Sequence, residues 1–232
     1  MPDRRIIDLD DVRFRWSGPA SFAISIPRFT VGSGETVLLL GESGSGKSTL
    51  LSLICGTVIA DSGTVRVNET DIKNLSGWSR DRFRAEQIGV IFQQFNLLPF
   101  GSVMDNILLP LQFAPARRDR CADPRRQAAE LCRSLGLPDG ITKSKAANLS
   151  VGQQQRVAVA RALIGQPLVL IADEPTSSLD ETARSNFLDL MFDQIDAQGS
   201  TLLMVSHDPR LADRFDRVVR MDEIASVERQ AA

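Results

Sequence analysis

Residues 6–40 alternate between apolar and polar side chains, which is the pattern of β-strands with one buried face. Two runs carry this alternation most clearly, residues 12–16 and residues 22–26, and the turn-forming residues Ser17, Gly18 and Pro19 separate them. The pattern predicts two antiparallel strands near the start of the chain. Residues 64–68 repeat the alternation and predict another strand.

Four short runs are apolar almost without interruption and also predict strands: residues 36–40, 88–92, 168–172 and 201–205. The last two are of the kind found in parallel strands that are covered on both faces. Helical patterns precede and separate them, so the sequence predicts an α/β core. From about Val103 to Ile141, leucines recur at helical spacing and prolines interrupt them, which predicts an inserted α-helical subdomain.

A glycine-rich segment follows the run 36–40 and is predicted to lie between that strand and a helix. Glycines let backbone amides converge on phosphate oxygens, and the helix directs its positive end at the same anion. Lys47 adds a full charge, and the hydroxyl of Ser48 is a ligand for the Mg²⁺ of a nucleoside triphosphate. A Gly/Ser-rich surface turn is the alternative. The segment matches the phosphate-binding pattern G-x-x-x-x-G-K-[ST] with Gly41, Glu42, Ser43, Gly44, Ser45, Gly46, Lys47 and Ser48, followed by Thr49.

Two adjacent carboxylates, Asp173 and Glu174, come at the end of the apolar run 168–172. Such neighbours repel each other unless a cation or different surroundings separate their roles. We expect Asp173 to hold Mg²⁺ through its water shell and Glu174 to orient and deprotonate an attacking water. A solvated turn before Pro175 is the alternative.

The only histidine of the chain, His207, follows the run 201–205. Parallel strands bring their carboxyl ends to one edge of a sheet, so His207 is predicted to contact the γ-phosphate, with a structural histidine as the alternative.

Ser150 precedes a helical pattern and is predicted to be its N-cap. This makes a second helix N-terminus that can receive an anion.

The charge of the chain favours no polyanionic partner. Its 27 basic and 29 acidic residues give a net charge of −2, so no overall positive field exists to hold nucleic acid or an anionic membrane. A local cluster of arginines is predicted to be a solvated linker that opens into a helix, with docking to an acidic partner as the alternative. The clustered arginines are Arg117, Arg118, Arg120, Arg125 and Arg126.

The last residues, 229–232, are predicted to fray.

Three cysteines, Cys55, Cys121 and Cys132, form no C-x-x-C pair, so neither a disulfide framework nor a zinc site is indicated. No run approaches eighteen apolar residues, and the acidic N-terminus is unlike a signal peptide. We therefore expect a reduced, cytosolic chain that reaches a membrane only through a partner.

The segment Leu-Ser-Val-Gly-Gln at residues 149–153 completes a set of motifs in which the chain resembles the ATP-binding cassette (ABC) ATPase family over nearly its whole length. The resemblance implies an α/β fold with a P-loop NTPase core: a mostly parallel sheet, an N-terminal antiparallel β subdomain and an inserted α-helical subdomain. It implies one nucleotide-binding domain over residues 1–232. Residues 1–98 and 165–232 would form the catalytic core, and residues 99–164 the helical subdomain.

The resemblance also assigns roles to residues that the motifs alone leave open. Trp16 fits the aromatic residue that stacks on adenine, with an ordinary strand aromatic as the alternative. Gln93 fits the glutamine that touches Mg²⁺ and senses the membrane subunit. Asp180 belongs to a loop, residues 177–180, that crosses to the opposite subunit.

The family implies a further role for Ser150, Gly152 and Gln153, which would bind the ATP held by a facing subunit. Hydrolysis would then require a head-to-tail dimer. Val151 departs from this pattern because glycine is usual there, and a β-branched residue could restrict backbone approach unless its side chain points away. Two other departures are Asn68 at a frequent glycine position and Glu223 after Asp222 in place of a common Asp-Gly turn.

As a whole, the resemblance implies an ATP-hydrolysing transporter subunit that uses ATP and Mg²⁺. It would pair with a second copy of itself or a homologous ATPase subunit and would drive separate transmembrane permease subunits. It would be cytoplasmic and peripheral on the inner face of the membrane, with no nucleic-acid partner expected. Residues 92–99 and 170–176 are similar to the lipoprotein-release and macrolide-export branch, which implies an export, lipoprotein-release or mechanotransmission system. A soluble ABC ATPase acting on nucleic acid or ribosomes, and a small kinase sharing only the phosphate loop, are the alternatives.

Overall fold

The computed structural model describes residues 4–17, 22–177 and 179–229. Gly18 and Pro19 of the predicted turn, and Ser178 of the predicted crossing loop, lie outside these ranges. The strands are β1 (Arg5–Trp16), β2 (Phe22–Gly32), β3 (Thr36–Leu40), β4 (Ser62–Val67), β5 (Thr70–Asp71), β6 (Ile88–Ile91), β7 (Val169–Asp173), β8 (Thr201–Ser206), β9 (Arg217–Arg220) and β10 (Ser226–Arg229). The helices are α1 (Lys47–Ile54), α2 (Gly77–Gln87), α3 (Val103–Leu108), α4 (Pro115–Asp119), α5 (Pro124–Ser134), α6 (Val151–Leu163), α7 (Glu181–Gln198) and α8 (Met221–Ile224). Among the residues so described, 3₁₀ turns lie at Ile72–Asn74, Leu109–Gln112, Ile141–Lys143, Ala146–Asn148 and Pro209–Arg214.

The chain forms two compact units. The first consists of Met1–Arg84 with Thr201–Ala232, and the second of Ala85–Ser200. The observed fold is α/β, with an antiparallel sheet formed largely by the N-terminal strands and with parallel strand pairs, as the sequence predicts.

An antiparallel sheet in the first unit has the strand order β10-β2-β1-β4-β5. The predicted antiparallel pair is confirmed, because β1 pairs with β2 and places Val12 opposite Ile26 and Phe14 opposite Ile24. Val12 and Ile26 are fully buried, so the apolar face of the alternating pattern forms the core. Asn68 follows β4 with φ of 47°, a left-handed conformation that asparagine tolerates better than most residues. This explains how asparagine occupies a position where glycine is frequent.

Parallel strands in the first unit surround β3. Strand β3 pairs with β8 on one side and with β9 on the other, and every residue of β3 is buried. Leu40 at the end of β3 lies opposite Ser206 at the end of β8. The segments that follow these two strands therefore begin at the same sheet edge. The pairing of β9 was not predicted, since its sequence is short and carries an arginine at each end.

The second unit contains the parallel pair β6 and β7 together with helices α3 to α7. Ile91 at the end of β6 lies opposite Ala172 in β7. Helices α3, α4 and α5 lie in the region from about Val103 to Ile141, where the sequence predicts an inserted helical segment, and prolines begin α4 and α5 rather than interrupt them.

Arg117 contradicts the prediction of a solvated linker for the arginine cluster. It is 1% exposed, and its guanidinium donates to the carbonyls of Ala162 at 2.9 Å, Ile164 at 3.0 Å and Ala85 at 3.1 Å. Burial, followed by the charge of Arg120, lowers the pKa of Arg117 to about 10. Five donors in a rigid fork let an arginine satisfy several carbonyls at once, which composition alone does not reveal.

The three cysteines are buried and free. Burial raises the pKa of the Cys55 thiol to about 12 and that of the Cys132 thiol to about 11. None of the helices described above combines the length and the hydropathy that a membrane-spanning helix needs.

Candidate functional site

The phosphate-binding pattern occupies the turn between β3 and α1, where the sequence places it. Gly44 has φ of 78° and Gly46 has φ of 101°, conformations that L-residues rarely adopt. Gly46 is the N-cap of α1, and no side chain caps this helix. The backbone amides in the first turn of α1 can therefore donate hydrogen bonds to a ligand such as phosphate.

The loop contains groups that fit a phosphate chain. Lys47 is 9% exposed, and its Nζ donates to the carbonyls of Gly41 at 2.6 Å and Glu42 at 2.7 Å. The Ser45 hydroxyl oxygen is buried and has no hydrogen-bond partner among the described residues. A buried hydroxyl without a partner is unfavourable unless a ligand or water satisfies it. The loop thus holds a buried cation and an unsatisfied polar group where phosphate oxygens are expected.

Trp16 ends β1 and lies against the phosphate loop. Its indole Nε1 donates to Thr49 Oγ1 at 3.2 Å, and its ring meets the Phe14 ring edge-on at a centroid distance of 5.1 Å. Trp16 is 43% exposed, so part of its ring remains available to a planar ligand. The structure therefore brings Trp16 to the loop that the sequence predicts for phosphate.

His207 is the next residue after β8, and it is exposed. Because Ser206 lies opposite Leu40, His207 and Gly41 begin adjacent segments at one edge of the parallel sheet. This is the edge at which ligands collect in α/β folds.

Arg229 is a contact of the phosphate loop that the sequence did not indicate. It was predicted to fray, but it ends β10, and its guanidinium donates to the carbonyl of Gly44. A Cβ at Gly44 would lie 2.1 Å from Arg229 Nη2, so a larger residue there would displace the guanidinium from this contact. The β10 strand, which pairs with β2, places the arginine there. Residues 230–232 lie outside the described ranges.

In the second unit, further predicted site residues follow two paired strands at one edge of the sheet. Gln93 follows β6, and Asp173 and Glu174 end and follow β7; the two strands are paired at Ile91 and Ala172. Gln93 is exposed, while Asp173 and Glu174 are partly buried. Glu174 has φ of 47°, a backbone conformation that is uncommon for glutamate and that recurs at functional sites.

Gln155 connects helix α6 to the turn that contains Glu174. It is 1% exposed, and its side-chain amide donates to the carbonyl of Pro175. No separate signal in the sequence indicates this role, because Gln155 is one more polar residue of the motif at 149–156. The turn after β7 is thus fixed by a buried hydrogen bond from α6.

Helix α6 begins as predicted, with Ser150 as its N-cap. The Ser150 hydroxyl accepts from the Gln153 amide at 3.3 Å, and Gln153 Oε1 accepts from the Ser150 amide at 3.0 Å, which forms a capping box. Val151 is 53% exposed, so its side chain is not packed into the core of this chain. A Cβ at Gly152 would meet no heavy atom within 4 Å. Neither crowding nor a positive φ in this chain requires glycine at position 152.

Asp180 acts as the N-cap of α7, and its Oδ1 accepts from the Ala183 amide at 2.8 Å.

Across residues 4–17, 22–177 and 179–229, no group of three or more His, Cys, Asp or Glu side chains is arranged to hold a metal. Ser48 in the first unit, and Gln93 and Asp173 in the second, each carry a side-chain oxygen of the kind that Mg²⁺ accepts as a ligand.

A buried parallel strand, a glycine-rich loop with a buried lysine and an uncapped helix define the class of this protein, a P-loop nucleotide-binding α/β protein. The family profile for ABC transporters matches residues 25–177. The chain therefore belongs to the ABC transporter family, as an ATP-binding subunit with ATPase activity.

Curated relatives match most of the chain. One is an uncharacterized ABC transporter ATP-binding protein, YbbA of Escherichia coli K12, which is 39% identical over 224 residues, 95% of this chain and 96% of its own length. Another is the lipoprotein-releasing system ATP-binding protein LolD of Anaeromyxobacter dehalogenans, which is 43% identical over 193 residues, 83% of this chain and 79% of its own. The resemblance to the lipoprotein-release branch is therefore confirmed.

A solved structure gives the same fold. The ATP-binding cassette MJ0796, solved as a dimer in a post-hydrolysis state bound to ADP and Pi, has a TM-score of 0.77 and 32% identity, and the match covers 92% of this chain and 93% of that chain.

Proposed function

We propose that this chain is the ATPase subunit of an export, lipoprotein-release or mechanotransmission system, in which two copies close around two ATP molecules and drive separate permease subunits. The permease would hold it, as a cytoplasmic protein, on the inner face of the membrane. Residues 1–98 and 165–232 would serve as catalytic core and residues 99–164 as helical subdomain. The relatives named as lipoprotein-releasing ATP-binding proteins support this choice of system.

The observation that carries the dimer proposal is the open space around Gly152. Glycine is needed there neither for backbone conformation nor for packing within this chain. A ligand held by a second subunit that approaches the N-terminus of α6 would supply the missing reason. Ser150 and Gln153 flank the same turn and keep it in helical form through their capping box. Asp180 would reach the opposite subunit from the N-terminus of α7.

In the proposed reaction, water attacks the γ-phosphorus, the bond to the ADP oxygen breaks, and Glu174 takes the proton of the water. Lys47 would hold the phosphates from within the loop of residues 41–49, and the Ser45 hydroxyl would gain its missing partner there. Trp16 would stack on adenine, and His207 would contact the γ-phosphate.

Mg²⁺, when bound with the nucleotide, would neutralise charge on the β- and γ-phosphates. Ser48, Gln93 and Asp173 are the residues proposed to hold it, Asp173 through water. Gln93 would in addition report the state of the permease.

Purification from cells with the membrane fraction, followed by assays of phosphate release, tests the proposal. We expect ATP hydrolysis without a phosphoryl acceptor and co-purification of a membrane protein with four spanning helices and a large extracytoplasmic segment. A partner with six or more spans and no such segment would favour an importer instead. Stimulation by RNA, DNA or ribosomes, with no membrane partner, would contradict the transporter assignment.

A further inference from the structure

Residues 92–102, which connect β6 to α3, carry Gln93 and are called the Gln93 loop below. The backbone of this loop has two unusual conformations. Phe95 has φ of 54° and Asn96 has φ of 49°, so two successive residues other than glycine lie in the left-handed region. Such conformations persist only when surrounding contacts hold them. Phe95 is buried at 7% exposure, whereas Gln93 itself is exposed.

Arg161, on α6, supplies those contacts. Its Nη1 donates to the carbonyl of Asn96 at 2.7 Å, and its Nη2 donates to the carbonyl of Phe95. The side chain is 7% exposed, and burial lowers the pKa of its guanidinium. A buried arginine whose two terminal nitrogens bind two consecutive strained peptides is placed to fix their orientation.

A different side chain holds the far end of the same loop. Asn106 is fully buried, and its side-chain amide accepts from the Leu98 amide at 2.7 Å and donates to the Leu98 carbonyl at 3.1 Å. Asn106 lies on α3, so the loop is attached to two helices at two separate points. The residues nearest Gln93 depend on Arg161, and those nearest Leu98 depend on Asn106.

We infer that Arg161 is a positioning residue that sets the place of Gln93 and makes the Gln93 loop follow movements of helix α6. The inference rests on the function proposed above for Gln93. Arg161 is eleven positions after Ser150, about 16 Å along the helix at 1.5 Å per residue. A ligand that engages the N-terminus of α6 therefore acts on the Gln93 loop through one rigid element and one guanidinium.

Amide hydrogen exchange tests the contact directly. The Phe95 amide is bound to the Phe92 carbonyl at 3.0 Å, so its exchange reports the loop conformation, while the Leu98 amide is an internal reference. We expect exchange at Phe95 to be about tenfold faster in Arg161→Met and intermediate in Arg161→Lys, with a smaller change at Leu98. Equal exchange at Phe95 in wild type and Arg161→Met would overturn the inference.

Arg156 provides a matched control on the same helix. It donates to the Gly136 carbonyl at 3.0 Å, which is also a backbone carbonyl but lies outside the Gln93 loop. Arg156→Met is expected to leave exchange at Phe95 unchanged. Urea unfolding of each variant shows whether it is folded, and Arg161→Lys keeps a donor and a charge if Arg161→Met does not fold.

Steady-state kinetics separate positioning from a general structural role. We expect Arg161→Met to lower kcat by about tenfold or more while KM for ATP changes by less than about threefold, with partial recovery in Arg161→Lys. In a Gln93→Ala background the same change should have little further effect on kcat, whereas full additivity would overturn the inference. Absence of hydrolysis by the wild-type chain would instead contradict the proposed function, and the exchange measurement would still decide the role of Arg161.

Discussion

The indole nitrogen of Trp16 donates a hydrogen bond of 3.2 Å to the hydroxyl of Thr49, the residue that closes the phosphate-binding pattern. This bond links the end of β1 to the first turn of α1. It fixes one edge of the indole while the residue remains 43% exposed.

Trp16 fluorescence is expected to respond to nucleotide. The chain has two tryptophans, and the other, Trp78, is 71% exposed on α2 beside Arg82. If Trp16 stacks on adenine, adding ATP should change the emission of Trp78→Phe, whereas Trp16→Phe should show little change. Thr49→Val, which removes the acceptor, should weaken nucleotide affinity by about threefold to tenfold. A nucleotide response of equal size in both tryptophan variants would contradict stacking at Trp16.

Glu174→Gln should bind ATP but turn it over at least about a hundredfold more slowly, because the group that accepts the proton of water is gone. The variant should elute as a dimer with ATP in size-exclusion chromatography. Glu181→Gln, seven residues later and exposed, is the matched control and should keep normal turnover. Near-normal hydrolysis by Glu174→Gln would remove Glu174 from its assigned role.

If each ATP site is formed by both subunits of a dimer, two variants that are inactive alone should restore activity when they are mixed. Lys47→Ala damages the phosphate loop of its own subunit, and Ser150→Arg damages the helix N-terminus that it would offer to the partner. A mixed dimer keeps one intact site, so an equimolar mixture should recover up to about a quarter of wild-type activity if the sites act independently. Strong activity of either variant alone would show that each subunit hydrolyses ATP by itself.

Arg117→Met should destabilise the fold by about 2 to 4 kcal/mol, because several buried carbonyls lose the guanidinium that donates to them. Arg118→Met is the matched control, since Arg118 is the next residue and is exposed, and it should change stability by less than about 0.5 kcal/mol. Urea unfolding measures the free energy of unfolding of both variants. Equal midpoints for the two variants would indicate that Arg117 is solvated after all.

Glu35 should contribute stability that acid removes. Burial acts to raise its pKa, but hydrogen bonds from Arg217 at 2.6 Å and from the Gly32 amide outweigh burial, so its pKa lies below the usual 4.5. A lowered carboxyl pKa stabilises the fold above the unfolded pKa, and this contribution is lost as pH falls through the folded pKa.

We therefore expect Glu35→Gln to be less stable than wild type at pH 7 by up to about 1 kcal/mol, with the difference shrinking below about pH 4. Thermal or urea unfolding across pH 3 to 7 measures this. Glu69→Gln is the control, because the Glu69 side chain is 74% exposed and its ion pair with Arg4 contributes little. A stability difference that grows as the pH falls would mean that folding raises the pKa of Glu35 instead of lowering it.

Local signals made most of the fold predictable. The alternation of β1 and β2, the apolar run of β3 and the N-cap at Ser150 each depend on a few neighbouring residues, and the structure contains all of them. What remained hidden depends on partners far away in sequence. Strands β9 and β10 are four residues long, and only their pairing with β3 and β2 defines them as strands.

Buried polar side chains were harder to predict than the motifs of the candidate site. Arg117, Gln155 and Arg161 are polar residues in or beside helical patterns, so composition suggests that they face solvent. Each is buried because its side chain satisfies backbone carbonyls that are distant in sequence. No pattern in a single sequence indicates which carbonyl lacks a partner.

The pairing of β3 also limits how early the parallel strands around it can assemble during synthesis. Both neighbours of β3, strands β8 and β9, come from residues 201–220, more than 150 residues after the strand that carries the phosphate loop. On the ribosome, the β3 strand therefore emerges long before either partner exists. Until residues 201–220 have been made, the buried face of β3 has neither of its neighbouring strands, and the phosphate loop that follows β3 lacks the sheet that positions it.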